Sequence, residues 1–499
     1  MALLPSISSR RSRRIRLKGT RSFRSLTFFL NEKRWLFLAL LCGVVLYMLP
    51  TPEGLSENGK NVLIMAIVAV ILFVTEPVPL PAVALLIIVG EVILLKLDSK
   101  VVAQSLMSDS VLFIMGSLML AVAVVKQKLD TRIAFLIVRM TGTGILRICM
   151  GVTFVCGVLA SIIGEHTVAA MMLPVAVMLV TLTSDTPKEV KGLAAVLLFS
   201  ISYGCAIGGI GTPSGGARNA IMIGYWKDFF FDPTNPETRQ FLVSYVDWMK
   251  YAYPVFLVQI PLVALILFAT FKPERKTLNR AVAKLRKRIA EQGKMTNSDW
   301  MTVFVFFMTL LGWIFLSGTL GLGTIAIMGA MVFLFLGLVR WEDLNSGVNW
   351  GVVILYAATI SLGVQMQNTG AAEWVSNSFL SILGPMHADH GLPLAAATAG
   401  LTTMVTNTMS AGAAVAVLGP ISLRTAELAG ENPLVLGYVT AIASSFAYFT
   451  PAAHPAFMIV YASGYLKAKD FLKVGIRMAA MSMIVLLLAA AFYWPFLQA

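Results

Sequence analysis

Apolar residues along this chain gather into long unbroken runs. They show neither the three-to-four spacing of a soluble helix nor the alternation of a surface strand. A helix needs about 20 mostly apolar residues to cross a bilayer. Runs of this kind are Trp35–Pro50, Asn61–Thr75, Pro77–Leu95, Val111–Val125, Ile148–Thr183, Gly192–Trp226 and Tyr245–Phe271. After a basic stretch come Trp300–Val339, Gly351–Ala372, Gly391–Leu423, Leu434–Leu466 and Val474–Ala499. Within Trp300–Val339, Ser317-Gly318, Gly321 and Gly323 signal a turn between two spans.

Four runs are too long for one simple span: Ile148–Thr183 and Gly192–Trp226, then Gly391–Leu423 and Leu434–Leu466. They occupy corresponding places in the two halves, the mark of inverted repeats with discontinuous helices. Leu112–Val125 and Val353–Gln367 precede them in matching positions, and Gly211-Thr212-Pro213 matches Phe449-Thr450-Pro451. The pattern predicts an all-α polytopic membrane protein. It has about 11 transmembrane helices in two inverted repeats, each with a re-entrant hairpin and a broken helix.

Charge sets the topology. Residues 1–34 carry ten Lys/Arg against Glu32, and Lys272–Lys294 carries nine against Glu274 and Glu291. Basic segments beside apolar spans face the cytoplasm. If Ile148–Thr183 returns to its own side, six spans separate the two basic segments and both are cytoplasmic. The expected organisation is a basic cytoplasmic tail over 1–34 and a first transmembrane half over 35–271. That half holds a hairpin at about 146–183 and a broken helix at about 192–226. A basic linker follows over 272–299. The second half, 300–499, has its hairpin at about 391–423 and its broken helix at about 434–466. With 58% apolar and 13% charged residues, against about 25% charged in soluble domains, the composition excludes a soluble enzyme, a disordered chain and a nucleic-acid-binding module. Four cysteines in apolar runs, none in a CxxC pair, read as buried hydrophobes.

Candidate chemistry lies inside the four long runs. Glu165-His166-Thr167 places two ionisable residues at membrane depth, where each faces protein or a wet cavity. Thr406-Asn407-Thr408 offers hydroxyls and an amide at the other hairpin. Around Gly211-Thr212 and onward to Gly215, Arg218 and Asn219, glycine density unwinds a helix and lets backbone approach a ligand. Arg218 is either a carboxylate clamp or the partner of Glu165. In Thr450-Pro451-Ala452-Ala453-His454-Pro455 two prolines break the helix, and His454 is either a titrating group or a hydrogen-bonded core residue. Helix breaks bare N–H groups for an anion and carbonyls for a cation. No zinc-protease HExxH, GxSxG elbow or nucleophile–base pair is present, so a membrane-embedded enzyme is the weaker rival.

At these segments the chain resembles the divalent anion/sodium symporter family, the INDY-type carriers of succinate, malate, citrate and related dianions. It looks like a divergent, bacterial-like member. The likeness runs over about residues 36–499. Thr406-Asn407-Thr408 is close to the family's Ser-Asn-Thr hairpin motif, while Glu165-His166-Thr167 keeps only Thr167. Against the family's Gly-Thr-Pro-Pro-Asn-like motif, the first break keeps Gly215 and Asn219, and the second, Ala453–Phe457, keeps Pro455. The resemblance implies an elevator-type secondary transporter of small organic dianions, homodimeric, in the bacterial inner membrane with its N-terminus inside. It implies a substrate held by Thr406, Asn407, Thr408, Glu165, His166, Thr167, Gly211, Thr212, Arg218, Asn219, Thr450, Pro451 and His454. It also implies Na+ as coupling ion, near Thr167, Gly215, Asn407 and Ala453, with membrane lipid and a small anion as the other partners and no organic cofactor. The altered first motif leaves proton coupling, cation-independent exchange and export open beside sodium.

Overall fold

The computed structural model describes residues 33–127, 142–184, 187–275, 277–279, 283 and 295–498. The basic tail to residue 32 and most of the basic linker lie outside them. The first half runs α1 (Arg34–Met48), α2 (Glu57–Thr75), α3 (Leu80–Leu94), a short α4 (Ser99–Ser105) and α5 (Asp109–Lys126). The hairpin limbs α6 (Ile145–Ile163) and α7 (Glu165–Thr181) follow, then the broken helix α8 (Lys191–Gly208) and α9 (Ala217–Phe230), then α10 (Tyr245–Phe271). The second half runs α11 (Asn297–Leu320), α12 (Leu322–Phe335), a short α13 (Trp341–Gly347), α14 (Trp350–Asn368) and α15 (Ala371–Leu383). Its hairpin limbs are α16 (Gly391–Thr406) and α17 (Ala411–Leu428), its broken helix α18 (Pro433–Ala443) and α19 (Pro455–Tyr461), and α20 (Ala468–Leu488) ends it. Among the described residues there is no strand.

Eight of these helices are long and apolar enough to cross a membrane, and six shorter ones are apolar. Seven of the eight fall on expected spans, and the eighth is the first hairpin limb, α6. The four remaining expected spans fall on the shorter helices α1, α3, α12 and α18. Local chemistry sets the ends. Ser56 caps α2 by accepting the Gly59 N–H at 2.9 Å. Ser244 and Thr296 open α10 and α11 with reciprocal capping boxes to Asp247 and Asp299. Gly321, at φ +79°, makes the turn expected inside Trp300–Val339. The run Gly351–Ala372 is not one helix: α14 ends at Asn368, Gly370 turns left-handed at φ +76°, and an amphipathic helix, α15, begins.

The repeats match in detail. Gly164 and Ser410 stand at the N-caps of the second hairpin limbs, and Pro174 and Pro420 fall at the same depth inside those limbs. In each break an extended Thr (Thr212, Thr450) leads into a three-residue turn (Pro213–Gly215, Pro451–Ala453). An extended Gly216 or His454 then caps the next helix.

Every residue of α8 from Gly192 to Gly208 is buried, while α11 shows Trp300, Phe304, Phe307 and Phe315 on its outside, as a lipid-facing helix does. The centre is close because it is built of small residues. A Cβ on Gly208 would run into the Gly157 carbonyl, and one on Gly204 would lie 2.7 Å from the carbonyl oxygen of Thr153. Backbones of α6 and α8 therefore touch, as in membrane helix pairs with small residues four apart. Gly208→Leu should cost at least the roughly 1–3 kcal/mol of an overpacked core and abolish the folded peak in size-exclusion chromatography. Gly318→Leu, at a position with no neighbour within 4 Å, should leave that peak intact.

Candidate functional site

Both hairpin tips and both helix breaks meet around a cavity of about 350 Å³. Ile163–His166 line it from the first hairpin and Ser410–Gly412 from the second. Pro213–Arg218 and Ala453–Pro455 line it from the breaks, while α5 and α14 close the side, bringing Ser117, Asn349 and Tyr356. The N-terminal ends of α7, α9 and α17 all reach this space. Each carries unpaired N–H groups and a partial positive charge, so the three together favour an anion.

One charged group spans the site. Arg218 Nη2 donates to Glu165 Oε1, and both side chains are buried. His454 Nε2 lies 2.9 Å from Glu165 Oε2. His454 Nδ1 accepts the Ala456 N–H at 3.2 Å, and Nε2 lies close to the carboxylate without hydrogen-bond geometry to it. Glu165 thus joins its own repeat's break, through Arg218, to the other repeat's break, through His454. Arg218 Nε is buried with no hydrogen-bond partner. Gly209 makes room for the pair, since a Cβ there would collide with the Glu165 carboxylate.

Polar side chains close to the tips are spent on holding backbone. Asn219 Nδ2 donates to the Gly209 and Thr212 carbonyls at 2.8 and 2.7 Å. The Thr212 hydroxyl donates to the Ser161 carbonyl, so break and first hairpin are joined there too. In the second half Thr406 donates to the Ser444 carbonyl at 2.7 Å. Asn407 Nδ2 donates to the carbonyls of Thr403 and Phe446 at 2.7 and 3.0 Å, and Asn407 Oδ1 accepts the Phe449 N–H at 2.9 Å. Thr408 bonds back to Val405, and Thr450 Oγ1 accepts the Ala453 N–H.

The chain matches the model of the sodium:sulfate symporter transmembrane region over residues 31–499. It belongs to that family. This symporter-family chain is 26% identical to the sodium-dependent dicarboxylate transporter SdcS of Staphylococcus saprophyticus, covering 94% of the chain and 95% of the relative. It is 24% identical to SdcS of Staphylococcus aureus strain USA300, covering 95% of each. An uncharacterized transporter of Haemophilus influenzae is 27% identical over 91% of the chain and 95% of the relative. In fold it is similar to the YdaH transporter of Alcanivorax borkumensis, with a TM-score of 0.52 at 13% identity, covering 78% of this chain and 86% of that one. The chain is a membrane transporter, not an enzyme.

For this family member the expected site residues divide in two. Glu165, His166, Gly215, Arg218, Ala453 and His454 line the cavity, and Arg218 takes the role of Glu165's partner. Thr167, Gly211, Thr212, Asn219, Thr406, Asn407, Thr408, Thr450 and Pro451 do not line it. The matching of Thr406-Asn407-Thr408 with Glu165-His166-Thr167 is corrected. The first triplet ends α16, the second begins α7, and the N-caps and prolines pair Gly164-Glu165-His166 with Ser410-Ala411-Gly412. Ser410, Ala411 and Gly412 were missed because they are small. The signal was the proline ten residues after each cap, Pro174 and Pro420. Ser117 and Tyr356 were missed because nothing in an apolar run marks which face meets a cavity, and Asn349 because it stands just ahead of the run that begins at Gly351.

The buried pair makes a thermodynamic prediction. Arg218→Met leaves Glu165 buried and without its partner, so it should cost about 3–5 kcal/mol. Glu165→Gln added to Arg218→Met removes the stranded charge and should recover more than half of that loss. Thermal unfolding of the two variants in detergent checks this. Equal destabilisation in both would show that the pair carries no such coupling.

Proposed function

We propose that this chain carries small organic dianions of the dicarboxylate type across the bacterial inner membrane, coupled to sodium, by an elevator movement. The observation that carries the reading is the cavity itself. Two hairpin tips, two helix breaks and three helix N-termini converge on a space of about 350 Å³, at the meeting of the repeats, where transporter folds of this kind hold their substrate. The substrate's carboxylates lie against the N-termini of α7 and α17 and beside Arg218. Thr406 and Asn407 set the second tip and Thr212 and Asn219 the first break, so these four act by position. The relatives named sodium-dependent dicarboxylate transporters, alike over nearly their whole length, support both the substrate class and the coupling ion. Carbonyls freed at the breaks, near Gly215 and Ala453, are the hard oxygen donors sodium takes.

The elevator reading rests on how the parts are tied. Glu165 joins the first hairpin to the second break, and Tyr225 of α9 donates to the Ala416 carbonyl of α17 at 2.9 Å. Hairpins and breaks are thereby linked crosswise into one unit. The helices α5 and α14 form the wall beside it. The carrier works as a homodimer with its N-terminus in the cytoplasm, as positive-inside charge and family resemblance imply.

The test is uptake of labelled succinate into proteoliposomes under imposed gradients. Accumulation driven by inward sodium is the expected result. Uptake driven by protons, or only against preloaded dicarboxylate, would replace the sodium coupling. No uptake by folded protein under any gradient would overturn the dicarboxylate assignment.

A further inference from the structure

Outside the cavity the fold buries one more carboxyl. Glu91, at the start of the last turn of α3, has no exposed surface. Its Oε2 lies 2.8 Å from the Ser361 hydroxyl of α14, and Ser361 Oγ lies 2.8 Å from Ser105 Oγ of α4. Ser105 in turn donates to the Val102 carbonyl at 2.7 Å. Glu91 Oε1 is buried with no hydrogen-bond partner.

Proton counting and charge both bear on the state of this chain of contacts. Three hydrogen bonds run from Glu91 through Ser361 and Ser105 to Val102, and each needs one hydrogen. The two serine hydroxyls supply two. If Glu91 is ionised, Ser361 must donate to it and Ser105 must donate to Ser361, so the Ser105 hydroxyl turns away from the Val102 carbonyl, which keeps only the Leu106 N–H at 3.1 Å. If Glu91 carries its proton on Oε2, every bond is made in one direction: carboxyl to Ser361, Ser361 to Ser105, Ser105 to Val102. Charge argues the same way. An isolated carboxylate in an apolar interior is far costlier than a neutral acid with one unpaired carbonyl oxygen. The elements packed on α3 are α2, α4 and α14. Their ionisable residues are Glu57 and Lys60 at the start of α2, Lys100 in α4 and Tyr356 in α14. Glu57 and Lys100 are exposed. Lys60 donates to the carbonyls of Tyr47 and Leu49, and Tyr356 lines the cavity. None forms an ion pair with Glu91 among the described residues.

We propose that Glu91 is a protonated carboxylic acid at neutral pH, and that its proton completes a hydrogen-bonded clasp fixing α3 and α4 to α14. Ser361 stands five residues beyond Tyr356, roughly 7.5 Å further along the same helix. The clasp therefore fixes the helix that walls the cavity, and Glu91 is a positioning residue for it. The inference does not depend on the identity of the substrate.

Infrared spectroscopy of the full-length protein in lipid at pH 7, wild type against Glu91→Gln, tests it without any transport assay. The expected difference spectrum holds the carbonyl band of one protonated, water-shielded carboxylic acid that the variant lacks. The glutamine amide of that variant is neutral and can donate to Ser361. Glu91→Gln should therefore melt at the wild-type midpoint, while Ser361→Ala, which cuts the chain, should melt lower. A wild-type spectrum with no such band at pH 7 would overturn the proposal. So would Glu91→Gln melting as low as Ser361→Ala, or failing to fold.

Discussion

The carboxylate of Glu165 is held by Arg218 from one repeat and faced by His454 from the other. A buried carboxylate at membrane depth must have such partners or lose its charge. That requirement fixes much of what surrounds it. The tip of the first hairpin has to lie against the first break, because Arg218 stands two residues after the break's extended Gly216. Gly209 has to be a glycine, because the carboxylate passes where a side chain would be. The second break has to close on the same tip, because His454 approaches the remaining oxygen. The second hairpin meets its own break without charge, through Asn407 and Thr406 bonded to bare carbonyls and an N–H. The two repeats thus solve one problem, pinning a hairpin tip to a broken helix, with an ion pair in one case and an amide in the other.

This asymmetry bears on how an anion is received. Arg218 is largely neutralised by Glu165, so the site does not rest on a surplus fixed cation. What remains is the convergence of the N-termini of α7, α9 and α17, whose partial charges are permanent and need no counter-ion. In the proposed role, such a site would attract a carboxylate yet hold it without the full strength of a free guanidinium, which suits a carrier that must also release its load. The unpartnered Arg218 Nε offers one more donor, on a side chain whose charge is already balanced.

Much of this was legible in the sequence because membrane chains write their architecture in long apolar runs and in the places where those runs fail. The overlong runs announced hairpins and broken helices. Glu165 and His454 announced the site, since an ionisable residue inside an apolar run needs a reason. Arg218 was legible as a charge with two readings, a carboxylate clamp or the partner of Glu165, and only the fold chooses, because pairing across 53 residues depends on how two loops meet. Thr406-Asn407-Thr408 drew attention by polarity, yet those side chains serve the backbone of their own repeat. The lining from the second hairpin is Ser410, Ala411 and Gly412, small residues that carry little signal in a sequence. The break at Gly370 and the helix after it were hidden because Gly351–Ala372 reads as one apolar stretch.

The central claim is that substrate sits between the two hairpin tips. The most direct measurement places a cysteine at Ser410, in a chain with Cys42 replaced by Ala, and follows its alkylation in membranes with and without succinate. The other three native cysteines are buried. The account predicts that succinate slows labelling at position 410 and leaves labelling unchanged at a cysteine placed at Thr408, outside the cavity lining. Equal labelling rates at position 410 with and without saturating succinate, in protein shown to transport it, would contradict the account.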